Sequence, residues 1–125
     1  MIHGIGMDLV EIDRIEDSIR RFGDRFLCRI LRPGEIQYCQ AQGRPALHAA
    51  ARFAAKEAAS KAFGTGIGSD IGWLDLEVIR EPSGRPVLIL HDAGRMLAER
   101  RGIKAVHLTL THTATTAGAT VLLEG

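Results

Sequence analysis

The sequence predicts a single α+β domain in which an antiparallel sheet is covered by helices. Three observations predict it. Apolar residues recur at helical spacing through the first half of the chain. They alternate with polar residues through most of the second half. Glycine and proline clusters, rather than a long linker, separate the segments. A chain of 125 residues is one domain, long enough to bury roughly two-thirds of its unfolded surface.

Residues 2–10 read as a strand in which Gly4 and Gly6 allow close backbone approach. From Glu11 the period changes, and Ile12, Ile15, Ile19 and Phe22 mark an amphipathic helix that ends at Gly23-Asp24. A shorter helix runs from Arg25 to about Leu31, and Pro33 sits in the first turn of the next, over 34–42. Residues 46–63 form the strongest helix, dense in alanine and stopped by Gly64-Thr65-Gly66. Residues 73–79 alternate, with Leu74, Leu76 and Val78 on the buried side of a strand. The turn Pro82-Ser83-Gly84-Arg85 leads into a second strand over 86–90. A helix over 92–101 is stopped by Gly102. Strands over 104–111 and 117–123 then form a hairpin across Thr113–Thr116.

Composition narrows the function. Net charge is +1 with 25% charged and 46% apolar residues, an ordinary globule that is neither a nucleic-acid coat nor a polybasic membrane tail. No apolar run approaches the roughly 18 residues of a membrane span, and residues 1–8 lack the pattern of a signal peptide. Cys28 and Cys39 are too few for a disulfide framework or a zinc knuckle and read as reduced thiols of a cytoplasmic protein. No serine or cysteine stands in a nucleophile-like turn, and the five histidines show no metal-ligand spacing.

Four features could carry chemistry. Asp8 ends an apolar strand just before a helix, where a carboxylate needs a cation or donors to stay charged; an N-cap or plain surface acid is the simpler account. Glu57 and Lys61 are four apart on an alanine-rich helix, which makes either an active pair or a surface ion pair of a few tenths of a kcal/mol. Thr109-Leu110-Thr111-His112-Thr113 ends a strand with hydroxyls and an imidazole, suited to phosphate or to base chemistry; strand threonines with a solvated histidine are the alternative. Residues 18–32 hold five arginines against Asp24, a local charge of +4 in a chain of net +1. Arg14 and Arg21 share a helix face, and Phe22 and Phe26 lie among the arginines. This is either a solvated face or a dock for an acidic protein.

Four separated segments agree with one family. Gly4-Ile5-Gly6-Met7-Asp8-Leu9-Val10-Glu11-Ile12 resembles the N-terminal signature of the holo-[acyl-carrier-protein] synthases, the small single-domain 4′-phosphopantetheinyl transferases. Arg52-Phe53-Ala54-Ala55-Lys56-Glu57-Ala58-Ala59-Ser60-Lys61-Ala62-Phe63-Gly64 resembles their central helix motif. Ser83-Gly84-Arg85-Pro86 and Thr109-Leu110-Thr111-His112 resemble the later ones, with threonines where the family carries serines before the histidine. The likeness runs from residue 2 to about 123.

The resemblance implies the 4′-phosphopantetheinyl transferase fold and Mg²⁺-dependent transfer of phosphopantetheine from coenzyme A to a serine of acyl carrier protein, releasing adenosine 3′,5′-bisphosphate. It implies that Asp8 and Glu57 bind Mg²⁺ and that Lys61 stabilises phosphate charge. Arg44, Arg52, Thr111, His112 and Thr113 would contact phosphates, while Gly64 and Gly84-Arg85-Pro86 would line the coenzyme A site. Arg14, Arg21, Phe22 and Arg25 would dock the carrier. It also implies a homotrimer with sites between subunits, with neither nucleic acid nor membrane as partner. A metal-dependent phosphohydrolase and a carrier-binding module without chemistry are the competing readings.

Overall fold

The computed structural model describes all 125 residues. The elements follow in the order β1 (Ile2–Glu11), α1 (Ile12–Phe22), α2 (Asp24–Ile30), α3 (Pro33–Gln40), α4 (Pro45–Phe63), β2 (Leu76–Arg80), β3 (Pro86–Leu90), α5 (Asp92–Arg100), β4 (Ala105–His112) and β5 (Thr116–Glu124). The antiparallel pairing is as the alternation predicts, but it forms two sheets. One has the order β1-β5-β4 and the other is the hairpin β2-β3. No helix is long and apolar enough to cross a membrane.

One expected boundary is corrected. Residues 73–75 are a 3₁₀ turn, and β2 begins only at Leu76. Leu74, placed inward by alternation, is 44% exposed, while Leu76 and Val78 are buried. The turn exists because the Asp75 carboxylate accepts the backbone N–H of Gly72 at 2.7 Å, an N-terminal cap that wins over local strand propensity.

Helix α4 is the axis of the molecule. Its alanines are buried against β1, β5 and the other helices, so that nearly its whole circumference is covered. A helix this small in side chains lets other backbones come near. β1 crosses it with Gly4 and Gly6 facing it, and a Cβ on Gly4 would overlap the carbonyl oxygen of Ala62. A Cβ on Gly6 would overlap that of Ala58. Substituting Gly6→Ala should therefore cost about 1–3 kcal/mol by overpacking. It should also push Asp8 away from the helix and lower Tm; an unchanged Tm would refute the close crossing.

Three charged side chains are buried with the alanines. Lys56 donates from Nζ to Glu35 Oε1 at 2.8 Å and to the Ile30 carbonyl at 2.6 Å. Glu35 also accepts the backbone N–H groups of Arg32 and Val78, both at 2.9 Å. One carboxylate thus ties α3, α4 and β2 together. Arg52, 1% exposed, lies with its Nε 3.9 Å from Glu35 Oε2 and its guanidinium 4.4 Å above the Tyr38 ring.

Candidate active site

The buried circumference of α4 leaves one strip open. Phe53, Glu57 and Lys61, spaced four apart, reach the surface while their neighbours do not. At the end of the strip Gly64 takes φ +80°, which lets the chain leave the helix directly.

Asp8 meets this strip from β1. Its parity with Gly4 and Gly6 turns it toward α4, and the glycines bring the strand in close. Lys61 Nζ lies 3.0 Å from Asp8 Oδ1 and donates to the Met7 carbonyl at 3.2 Å. Lys61 therefore reaches across to the strand instead of pairing with Glu57 one turn away. Burial pushes the Glu57 carboxyl above its ordinary range, and the neighbouring Asp8 charge pushes it further; Lys61 and Arg14 pull it partly back. Two carboxylates held together against desolvation and mutual repulsion form a site that favours an added cation. The structure thus brings Asp8, Glu57 and Lys61 together, with Arg14 of α1 in electrostatic reach.

The other anticipated residues lie elsewhere. Arg44 precedes α4 and donates from Nη1 to the Ala114 carbonyl at 2.9 Å, joining that helix end to the β4–β5 turn. His112 shares a register row with Ala117 and Val10 on the α4 side of the sheet, whereas Thr111 pairs with Gly118 on the outer side. The Thr113 hydroxyl accepts the N–H of Thr116 at 3.1 Å and shapes the turn. Gly84 and Arg85 lie in the exposed β2–β3 turn, where the Gly84 carbonyl accepts from Arg80 at 2.7 Å, and half-buried Pro86 opens β3. Arg52, expected at a phosphate, is enclosed beside Glu35 and Tyr38. Arg14, Arg21, Phe22 and Arg25 are all exposed, and Phe22, Arg25, Phe26 and Arg29 line a cleft of about 250 Å³.

Sequence reasoning missed two features. His48 and Arg80 stand near His112 and Arg52. Trp73 stacks on Phe53 at 4.9 Å between ring centroids, walling one end of the open strip. Only the i,i+4 spacing of His48 and Arg52 hinted at the first, and nothing local pointed to the stack.

The model of the 4′-phosphopantetheinyl transferase superfamily matches residues 4–117. The chain belongs to that superfamily. Within it, the chain is 51% identical over 124 residues to the holo-[acyl-carrier-protein] synthase of Koribacter versatilis, covering 99% of each. It is 48% identical over 125 residues to that of Syntrophus aciditrophicus, covering 100% of this chain and 98% of the relative. The crystal structure of the Neisseria meningitidis holo-[acyl-carrier-protein] synthase superposes with a TM-score of 0.94 at 36% identity, covering all of both chains. The Helicobacter pylori synthase in complex with coenzyme A superposes with a TM-score of 0.86 at 34% identity, covering 96% of this chain and 99% of that one. The α+β architecture is thus that of the phosphopantetheinyl transferases, and the chain is an enzyme of this family.

Proposed function

We propose that the chain transfers the 4′-phosphopantetheine group of coenzyme A to a serine of apo acyl carrier protein, with Mg²⁺ as cofactor and adenosine 3′,5′-bisphosphate as the other product. The observation that carries this is the meeting of Asp8, Glu57 and Lys61 on the one open strip of a buried helix. Two carboxylates with no third His, Cys, Asp or Glu nearby fit a hard octahedral ion that takes its other oxygens from water and substrate phosphates. When bound, Mg²⁺ supplies charge neutralisation for the diphosphate.

The chain's own residues do the rest. Lys61, half-exposed and next to Asp8, offers an ammonium to the phosphate oxygens as negative charge builds on the leaving group. The serine oxygen bonds to the β-phosphorus, the bond from that phosphorus to the bridging oxygen breaks, adenosine 3′,5′-bisphosphate leaves with that oxygen, and the serine proton passes to Glu57 or to a water beside Asp8. Glu57, whose carboxyl is biased toward proton uptake, faces that region. Most of the catalysis is positioning.

The carrier docks on α1 and α2 in this reading. Arg21 stands over the Phe22 ring at 5.5 Å and shares Asp17 with Arg20, leaving an exposed basic and aromatic surface for an acidic helix. Arg21→Glu should weaken carrier binding roughly tenfold at low salt and less at high salt, with coenzyme A affinity unchanged. Equal carrier affinity at every salt concentration would make the stripe an ordinary solvated face.

A homotrimer with sites between subunits is part of the proposal. The outer face of the three-stranded sheet exposes Ile5, Met7 and Leu9 by 63–66%, an apolar row that a second copy would cover. Met7→Arg should give a monomer by light scattering, without transfer activity.

The deciding experiment mixes the protein with coenzyme A, Mg²⁺ and apo carrier, then weighs the carrier. A gain of one phosphopantetheine group, abolished by EDTA and restored by Mg²⁺, is expected. An unchanged carrier mass refutes the transferase, and coenzyme A breakdown without carrier would mark a hydrolase instead.

A further inference from the structure

A buried junction lies between the two surfaces that the transfer needs. One is the strip of Phe53, Glu57 and Lys61 on α4, and the other is the exposed basic and aromatic face of α1 and α2. Between them the chain turns from α2 into α3 over 30–32, and two side chains hold that turn.

The first is Lys56. Fully buried, it donates from Nζ to the Ile30 carbonyl at 2.6 Å and to Glu35 Oε1 at 2.8 Å. Ile30 is the last residue of α2, so the ammonium grips the end of the helix whose Arg25, Phe26 and Arg29 line the cleft of about 250 Å³. Lys56 also precedes Glu57, and consecutive helical residues point about 100° apart. With the ammonium anchored inside, α4 cannot roll without breaking both bonds, and Glu57 stays turned toward the strip. The second is Arg32. Its backbone N–H donates to Glu35 Oε1 at 2.9 Å, and its Nη1 donates to the Leu74 carbonyl at 2.6 Å. Leu74 follows Trp73, whose ring stacks on Phe53 one turn before Glu57. The junction therefore has three arms, one to the helix proposed to dock the carrier, one to the aromatic wall and one to the helix that bears Glu57.

The use of charge here is informative. A buried ion pair contributes little net stability compared with apolar residues of the same volume. What apolar residues lack is direction, whereas an ammonium and a carboxylate fix their partners in distance and angle. In this junction the partners so fixed are the parts that must act together on one protein substrate.

We propose that Lys56 and Arg32 are positioning residues, which hold the carrier-docking face of α2 and the Trp73–Phe53 wall at a set distance from Glu57, so that a docked carrier presents its serine to the carboxylate pair. This rests on the transferase reading and adds to it the residues that register the protein substrate against the coenzyme. Neither side chain touches a reactant. A shift of α2 by about 1 Å leaves docking intact and yet costs up to about 10²-fold in transfer.

The test uses the whole enzyme as Arg32→Ala and as Lys56→Met, assayed well below each variant's Tm so that unfolding removes no active protein. Calorimetric titration with coenzyme A counts the competent sites, and turnover of apo carrier is read per bound coenzyme A. Turnover should fall at least about tenfold in each variant, while carrier KM and coenzyme A affinity stay within about threefold. Trp73, the one tryptophan of the chain, should shift its emission to the red in Arg32→Ala, because its turn loses an anchor. A role confined to stability leaves both readouts where they are. Wild-type turnover per bound coenzyme A in Arg32→Ala, or an unmoved Trp73 emission there, overturns the proposal, and so does a folded Lys56→Met that turns over like the wild type. Loss of coenzyme A affinity in step with turnover also overturns it, since the damage then reaches the coenzyme site and not the register between substrates. Arg32 is only half-buried, so its variant decides the matter alone if Lys56→Met fails to fold. A carrier left unmodified by the unsubstituted protein overturns the transferase reading itself.

Discussion

Glu57→Gln should lower phosphopantetheine transfer by at least about 10²-fold while leaving the fold intact. The amide keeps the shape and hydrogen-bonding length of the side chain but removes the charge that faces Asp8. Burial and the Asp8 charge both disfavour ionised Glu57, so neutralising it should hold Tm steady or raise it slightly. Activity and stability then move apart, as befits a site residue. The same environment sets a pH dependence. A divalent cation needs the carboxylate form, so its affinity should fall on acidification at a higher pH than for an ordinary glutamate. Full turnover by Glu57→Gln in the carrier mass assay would remove Glu57 from the chemistry.

The second large effect is on stability. Glu35→Ala should cost about 3–5 kcal/mol, because it leaves Lys56 and Arg52 buried without their counter-charge and frees the Val78 N–H. For a domain of this size that is a fall in Tm of roughly 10–20 °C. The sign of its pH dependence follows from Lys56, whose ammonium burial already pushes below its ordinary value. Without Glu35 it falls further, so the unfolded chain binds more protons than the folded one. Stability of the variant should then rise with pH up to the unfolded lysine value. Pairing Glu35→Leu with Lys56→Met should recover part of the loss, and a Tm unchanged by Glu35→Ala would show that the pair is not the tie between α3, α4 and β2.

Much of this was readable before any coordinates. Alternation and helical spacing located the elements because burial on one face is written into the residue period. Asp8, Glu57 and Lys61 stood out because charge is conspicuous on an apolar strand and an alanine helix. The sequence alone left the Glu57–Lys61 pairing open; the fold resolves it by offering Lys61 a better partner on β1. Trp73–Asp75 escaped the alternation because one side-chain cap outweighed the period. Glu35 gave no warning either. An acid in the first turn of a short helix reads as surface, and only the packing of β2 and α4 over it turns it into a hub. His48 and Arg80 are 32 positions apart, and no local rule joins residues that meet only through the tertiary fold.

The alanines of α4 carry a consequence for how the chain can vary. Since β1 is seated main chain against main chain, the spacing of Asp8 from Glu57 is set by peptide groups and scarcely by side-chain rotamers. Any methyl added along that contact displaces the Asp8-bearing strand as a rigid piece. Deep mutational scanning should accordingly return a barber-pole profile along residues 49–63, intolerant at every rung except 53, 57 and 61 when read for folding alone. Read for transfer, that pattern should invert at 57 and 61, where substitutions that spare the protein silence it.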